Sequence, residues 1–164
     1  MTPELDDALV RDFPKLYRMR HPKRHRGPRE PIEFGFEVGD GWEPLIRRLS
    51  VKLDPVAASS GVHAVQVKEK NGGLRFYIDG VTKAPAETVT AMRAPIEAAQ
   101  KESLRTCEQC GAPGKMHVRQ GWARTRCDAC WNEFHRAGKR EEATIAEAPQ
   151  RRRVRVTRSP QEAK

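Results

Sequence analysis

The four cysteines constrain this chain more than any other feature. They form a Cys-x2-Cys-x16-Cys-x2-Cys pattern, and the chain contains no further cysteine. Two cysteines three positions apart can direct both sulfurs at one ion from a tight turn, and two such turns complete the tetrahedron that Zn²⁺ prefers. Gly111 follows the first pair and offers the open backbone conformation that this turn needs. The pattern therefore predicts a zinc ribbon whose metal ligands are Cys107, Cys110, Cys127 and Cys130.

Four thiolate ligands would leave no coordination position for water. Such a site is closed and structural, and its binding energy is folding energy for about residues 105–132. Two disulfides, free thiols or a redox Cys-x-x-Cys pair are the alternatives. The segment MTPELDDALV lacks the basic flank and apolar run of a signal peptide, and no apolar run reaches the about 20 residues of a membrane span. We therefore expect a reducing, cytoplasmic location, which disfavours disulfides.

Paired cysteine turns also occur in one class of enzyme. Histidine-asparagine-histidine nucleases hold a catalytic ββα-metal unit between two such turns, and His117, Asn132 and His135 invite the comparison. The 16 residues between the pairs are too few for that unit, and His117 is flanked by Met116 and Val118 rather than by an acid or a second histidine. No nucleophile elbow, P-loop or dinucleotide motif occurs, so we assign no catalytic residue.

Basic residues are concentrated in particular stretches. The chain has 31 Lys and Arg against 22 Asp and Glu, a formal net charge of +9. Residues 13–29 hold seven Lys or Arg, two His and no acid, and a second run of arginines occupies residues 151–158. Runs of this kind are usually disordered and often contact nucleic acid. Since only 37% of the residues are hydrophobic, we expect disordered basic ends.

The segment between the cysteine pairs is itself basic and contains Trp122. Arginine and lysine contact phosphates, and an exposed indole can stack on a base. Against this, a module so small has little else to bury, so we favour a core position for Trp122. The hairpin at about residues 62–79 could extend the same surface or only solvate its sheet. The predicted nucleic-acid interface consists of Lys68, Lys70, Arg75, Lys115, His117, Arg119, Trp122, Arg124 and Arg126.

The hairpin is the clearest secondary-structure signal. Asn71-Gly72 is typical of a type I′ turn, and alternating apolar residues lie on both sides of it, over about residues 62–79. A further short strand is indicated by the alternation of Phe34, Phe36 and Val38. The fold class follows as α+β: a small antiparallel sheet packed on two or three helices, then the four-cysteine zinc ribbon.

Helical spacing of apolar residues predicts the helices. A core helix is expected from about Trp42 to Leu53, with Asp40 and Glu43 at the spacing of a capping box. A second is expected from near residue 85 towards 104, with a kink or break at Pro95. Thr2-Pro3-Glu4 begins an N-terminal helix. We divide the chain into a helical, basic N-terminal arm and linker, an α+β core, a zinc ribbon and a disordered basic tail: 1–31, 32–105, 106–135 and 136–164.

Four separated motifs resemble a group of uncharacterised small phage and prophage proteins. They are Gly-Asp-Gly-Trp-Glu-Pro-Leu-Ile at 39–46, Val-Gln-Val-Lys-Glu-Lys with Gly-Gly-Leu-Arg-Phe-Tyr over 65–77, Ser-Leu-Arg-Thr-Cys-Glu-Gln-Cys-Gly at 103–111, and Gly-Trp with Thr-Arg-Cys-Asp over 121–128. The resemblance covers about residues 34–131. It implies a phage origin and a pair of zinc-binding turns, and it carries no activity.

Three functions compete on this basis. The first is a non-enzymatic zinc protein that binds nucleic acid through the basic ribbon loop and tails. The second is a phage-encoded modulator or inhibitor that binds an acidic host protein, such as a polymerase or a defence system, in the bacterial cytoplasm. The third, an enzyme, has no residue to support it.

Overall fold

The computed structural model describes residues 1–20 and 30–147 of the 164-residue chain. Part of the N-terminal basic run, residues 21–29, and the C-terminal arginines lie outside the described residues. The predicted α+β class is confirmed, with helices and two separate antiparallel hairpins. The helices are α1 (Pro3–Asp12), α2 (Glu43–Ser60), α3 (Ala86–Ser103) and α4 (Asp128–Glu147), and the strands are β1 (His63–Lys70), β2 (Gly73–Asp79), β3 (Lys115–Arg119) and β4 (Trp122–Arg126).

The chain divides into two units, Met1–Asn132 and Glu133–Lys164. The first contains the N-terminal segment, the α+β core and both cysteine pairs. In the second, α4 continues to Glu147, so residues 136–147 are helical where the sequence predicted a disordered tail. The reason is local, because residues 139–147 are mostly Lys, Arg, Glu and Ala, which favour helix. No helix in the described part of the chain is both long and apolar enough to cross a membrane.

The first hairpin forms as predicted. Asn71 and Gly72 both have positive φ angles, 54° and 78°, as a type I′ turn requires. β1 and β2 pair antiparallel around this turn, with Lys70 opposite Gly73 and Val67 opposite Phe76. Val67, Leu74 and Phe76 are buried, so this face of the hairpin closes the core.

Helix α2 supplies the other wall of the core. Its predicted apolar face is confirmed, since Leu45, Ile46, Leu49 and Leu53 are all buried. The helix extends beyond the predicted end at Leu53, through Pro55, to a left-handed Gly61 with a φ of 75°. A proline removes one helical hydrogen bond, and here burial of the apolar face and the glycine cap outweigh that loss. Helix α3 likewise runs through Pro95 as one element.

The N-terminal segment contributes to the core. Leu9, Leu16 and Tyr17 are fully buried, although the sequence confined the core to residues 32–105. The hydroxyl of Tyr17 lies 2.6 Å from that of Ser50 on α2, and the amide of Ala64 donates to the carbonyl of Leu16 at 2.9 Å. The segment before the basic run is therefore packed structure, because its apolar residues complete the surface between α2 and β1.

The strand predicted over 34–38 does not form. Pro31–Phe34 is a 3₁₀ turn, and only Glu37 forms a bridge, parallel to Lys68 of β1. Gly35, with a φ of 105°, breaks the extended backbone. The interpretation of Asp40 and Glu43 as a capping box is also wrong. Asp40 accepts a hydrogen bond from the amide of Thr2 at 2.7 Å, and no side chain caps α2.

Candidate metal centre

Each cysteine pair lies on a turn whose backbone hydrogen bonds explain the spacing. In the first pair, the amide of Gly111 donates to the carbonyl of Cys107 at 2.9 Å, and Gly111 adopts the predicted open conformation with a φ of 78°. The amide of Cys107 donates to the carbonyl of Ala112 at 2.8 Å. The second pair begins α4, where the amide of Cys130 points at the sulfur of Cys127 at 3.5 Å. The two turns direct their sulfurs towards one another.

The 16 residues between the pairs form the hairpin β3–β4. Gln120 and Gly121 occupy its turn with φ angles of 50° and 81°, so it is a second type I′ hairpin. Lys115 pairs with Arg126 at its open end, next to the cysteines. The hairpin therefore returns the chain to the first turn and brings the second cysteine pair beside it.

The four sulfur atoms lie within 4.8 Å of one another. The Sγ atoms of Cys110 and Cys127 are 3.7 Å apart. Two sulfurs of a tetrahedral Zn–S4 site, with bonds of about 2.3 Å, are separated by about 3.8 Å, whereas a disulfide needs about 2.05 Å. All four cysteines are unbonded thiols, so the disulfide alternative is wrong for this structure. The sulfurs have the spacing of a four-thiolate metal site.

The surroundings of the sulfurs favour a cation. Burial raises the pKa of the Cys107 thiol, but amides of Cys127, Cys110 and Gln109 outweigh it and lower that pKa to about 7. Burial and the neighbouring thiols raise the pKa of Cys130. One thiolate in the cluster thus opposes ionisation of the next, and a divalent cation would remove that opposition. With four protein ligands, such a cation would have no open position and would act on the fold.

The α+β core packs directly against the first cysteine turn. A Cβ atom on Gly41 would lie 2.3 Å from the carbonyl oxygen of Cys107 and 2.4 Å from the amide of Gly111. The amide of Gly41 donates to the carbonyl of Glu108 at 2.8 Å. The indole of Trp42, fully buried, donates to the carbonyl of Thr106 at 2.8 Å. Residues 39–42 therefore form the surface on which the first cysteine turn packs.

Glu108 is the site residue that sequence reasoning missed. It is 5% exposed, and its carboxylate accepts hydrogen bonds from the amide of Gly39 at 3.1 Å and from the guanidinium of Arg124 at 3.4 Å. The glycines of Gly-Asp-Gly-Trp were a usable signal, because two closely spaced glycines before a helix indicate a close backbone approach. Nothing in the sequence indicated what would approach them.

The register of β3–β4 places all six predicted ribbon residues on one face. Opposed residues of an antiparallel pair share a face, and successive residues alternate. The pairs Lys115–Arg126, His117–Arg124 and Arg119–Trp122 therefore project to the same side, which we call the basic face. Its six residues are Lys115, His117, Arg119, Trp122, Arg124 and Arg126.

Trp122 is 74% exposed, so the expectation that it covers the ribbon core is wrong. Thr125 takes that position instead, fully buried, with its hydroxyl donating to the carbonyl of Gly72 at 2.6 Å. The first hairpin turn thus packs on the face of β3–β4 that carries Thr125, whereas Trp122 projects to the opposite face. The exposed ring stands at the tip of β3–β4, next to the turn.

Several charges of the basic face already have partners. Lys115 pairs with Asp128 at 2.9 Å, and this hydrogen bond lowers the pKa of Asp128. Arg124 lies 3.4 Å from Glu108 and 3.7 Å from Glu69 of β1. The ring of His117 stacks on Trp131, with centroids 4.5 Å apart. Acidic side chains therefore lie beside Lys115 and Arg124 of this face.

The three basic residues of the first hairpin lie together on its outer side. Lys68 is paired with Arg75, and Lys70 with Gly73, which places all three on one face. Lys68 lies 5.7 Å from the centre of the Tyr77 ring, and Arg75 donates to the carbonyl of Leu74 at 3.0 Å. The contact between Arg124 and Glu69 joins this hairpin to the ribbon.

No protein-family profile, curated protein or solved structure matches this chain. The resemblance to phage proteins therefore stays a prediction.

Proposed function

We propose that this chain is a structural zinc protein that binds single-stranded nucleic acid on the basic face of β3–β4. Zinc is the metal that four thiolates at tetrahedral spacing favour, with iron the alternative. Purified protein should contain one equivalent of zinc by elemental analysis and show no visible absorbance. A coloured protein with bound iron would contradict the assignment.

The exposure of Trp122 carries the nucleic-acid proposal. An indole 74% exposed at a hairpin tip has no role in the core, and it shares its face with arginines, lysine and histidine. Bases stack on such rings with about 1–3 kcal/mol per base, and the cations contact the phosphates. This arrangement suits a single strand, whose bases are free to leave their own stack.

The first experiment measures binding of fluorescein-labelled single-stranded DNA and RNA at several salt concentrations. Trp122→Ala should weaken binding about tenfold or more at constant salt slope, because it removes a stacking contact. Arg119→Ala should reduce the salt slope by about one. Phe34→Ala and Arg93→Ala are matched controls, since Phe34 is 72% exposed on the 3₁₀ turn at 31–34 and Arg93 is exposed on α3. An affinity that both test variants leave unchanged would remove the proposal.

A second candidate function is that of a phage-encoded modulator that binds an acidic host protein. This candidate is favoured by the apolar side chains of Met116 and Val118, which are 49% and 66% exposed. Exposed apolar side chains are typical of protein–protein contacts rather than of contacts with phosphates. A pull-down from bacterial lysate, repeated after nuclease treatment, distinguishes the two. Both candidates place the protein in a reducing compartment such as the bacterial cytoplasm, where thiolate ligands persist.

A further inference from the structure

Of the four strands in the described residues, three have outer-edge backbone groups that hydrogen-bond to other parts of the chain. On β1, the amide of Glu37 donates to the carbonyl of Val67 at 2.9 Å, and the amide of Glu69 donates to the carbonyl of Glu37 at 3.0 Å. On β2, the amide of Leu74 donates to the hydroxyl of Ser103 at 2.9 Å. Proteins commonly cover strand edges in this way, because unpaired backbone groups recruit other strands.

The outer edge of β4 is also engaged by another part of the chain. This contact shows which opposed residues of β3 and β4 are hydrogen-bonded to each other. The amide of Glu108 donates to the carbonyl of Thr125 at 2.9 Å, so this carbonyl points away from β3. In an antiparallel pair, bonded and non-bonded residue pairs alternate. Thr125 is opposite Met116, and that pair is therefore a non-bonded one.

It follows that the backbone groups of Met116 and Val118 point away from β4. The tight turn at Gln120 and Gly121 gives the same result, since the residues that flank it form a bonded pair. Within residues 1–20 and 30–147, β3 pairs with β4 alone. β3 is thus an edge strand with two outward amides and two outward carbonyls at successive non-bonded positions.

The side chains along this edge separate by chemistry. Met116 and Val118 are apolar, exposed, and on the side opposite the basic face, while Lys115, His117 and Arg119 lie on the basic face. The inner end of the apolar side is occupied by the first hairpin turn, where a Cβ on Gly72 would lie 3.3 Å from the Cε of Met116. Val118, at 66% exposure, is the open end.

A second copy of this chain is a poor occupant of the edge. Antiparallel pairing of two β3 strands about His117 would place Lys115 of one copy opposite Arg119 of the other, and like charges directly opposed destabilise a strand pair. The net charge of +9 adds to the repulsion. This repulsion disfavours a second copy and favours a partner strand that comes from a different protein and carries negative charge.

We propose that β3 accepts an extended segment of a partner protein as an added strand, and that this segment alternates apolar with acidic residues. Its apolar side chains would lie beside Met116 and Val118, and its carboxylates beside Lys115 and Arg119. Main-chain hydrogen bonds would supply affinity and the alternation would supply specificity. This inference does not depend on nucleic-acid binding, and it gives the second candidate function a defined surface.

The test uses the full zinc-containing chain and two strand-length synthetic peptides of equal composition. One alternates valine with glutamate, and the other carries the same residues in two blocks. Fluorescence anisotropy should show the alternating peptide binding at least about tenfold more tightly. Amide hydrogen exchange at Met116 and Val118 should slow in its presence, because these amides become donors to the added strand.

Two variants locate the binding. Val118→Pro removes an outward amide without loss of a β3–β4 bond, and Val118→Lys places a charge on the apolar side; each should weaken peptide binding about tenfold. Val51→Lys is the matched control, since Val51 is 59% exposed on α2. Circular dichroism and zinc content report whether each variant is folded. Equal binding of both peptides, unchanged affinity in both Val118 variants, or self-association of the free protein through β3 would overturn the proposal.

Discussion

The indole of Trp42 donates a hydrogen bond to the backbone carbonyl of Thr106, the residue immediately before the first cysteine of the cluster, at 2.8 Å. This contact joins the start of α2 to the metal site across 64 positions of sequence. Since Trp42 is fully buried and Cys107 is too, the core and the first cysteine turn share one packed interior. Metal binding and the folding of the first unit should therefore be coupled.

Gly41→Ala should disrupt this coupling. The added methyl would meet the backbone of Cys107 and Gly111 at 2.3 and 2.4 Å, and neither group can move without loss of the turn. We expect a destabilisation of about 3 kcal/mol and a reduced metal content. Urea unfolding and elemental analysis measure the two effects. Gly73→Ala is the control, because its nearest neighbour at 3.0 Å is the flexible end of Leu104; an equal effect of both variants would contradict the argument.

Removal of metal should lower the stability of the whole first unit. With a chelator we expect one cooperative transition at a melting temperature lower by at least about 10 °C. Tryptophan fluorescence, which includes the buried Trp42, and far-ultraviolet circular dichroism should report the same midpoint. Cys110→Ser, which alters an exposed ligand, should melt at the lower temperature and be insensitive to chelator. Separate transitions for ribbon and core would show that the two fold independently.

Substitution of Thr125 should lower the stability of the protein, whereas substitution of Trp122 should leave it nearly unchanged. Thr125→Val leaves the carbonyl of Gly72 without its buried donor, which costs about 1–3 kcal/mol. Trp122→Ala alters a side chain that is 74% exposed and should change the free energy of unfolding by less than about 0.5 kcal/mol. Chemical denaturation of the two variants checks both values. A large loss of stability on truncation of Trp122 would return it to the core role predicted from the sequence.

Protonation of His63 should lower the free energy of unfolding in acid. Burial lowers its pKa below the usual value of 6.5, although the carbonyl of Gly61 opposes this, and the guanidinium of Arg18 lies 2.8 Å from Nδ1. The unfolded chain therefore binds a proton at higher pH than the folded chain does. The contribution of the neutral ring is complete above the unfolded pKa and is lost as the pH falls below about 6.5.

The matching variant is His63→Asn, whose side-chain oxygen can still accept from Arg18 but does not titrate near neutral pH. Melting temperatures between about pH 7.5 and 5, with zinc in excess, should decline less steeply for the variant than for the parent chain. The metal site contributes equally to both, so the difference isolates His63. Parallel profiles would show that protonation of this ring is not linked to folding.

Local patterns predicted the elements whose signals are short in sequence. The type I′ turn at Asn71-Gly72 follows from two residues that tolerate positive φ, and the face of α2 follows from helical periodicity. The cysteine spacing predicted the cluster for the same reason, since each pair needs only its own turn. The prediction at Asp40 failed because a distant partner, the amide of Thr2, takes its side chain. The strand predicted over 34–38 failed because Pro31–Phe34 forms a 3₁₀ turn and Gly35 adopts a positive φ.

The sequence by itself determined the four-cysteine pattern, the tight hairpin at Asn71-Gly72 and the excess of positive charge. Only the tertiary structure decided how these are used. Trp122 is exposed because the distant turn at Gly72 packs on the opposite face of β3–β4, against Thr125, and Glu108 is buried because Gly39 and Gly41 allow its backbone to approach closely. Each of these outcomes depends on the volume between segments far apart in the chain. Composition and spacing carry no measure of that volume.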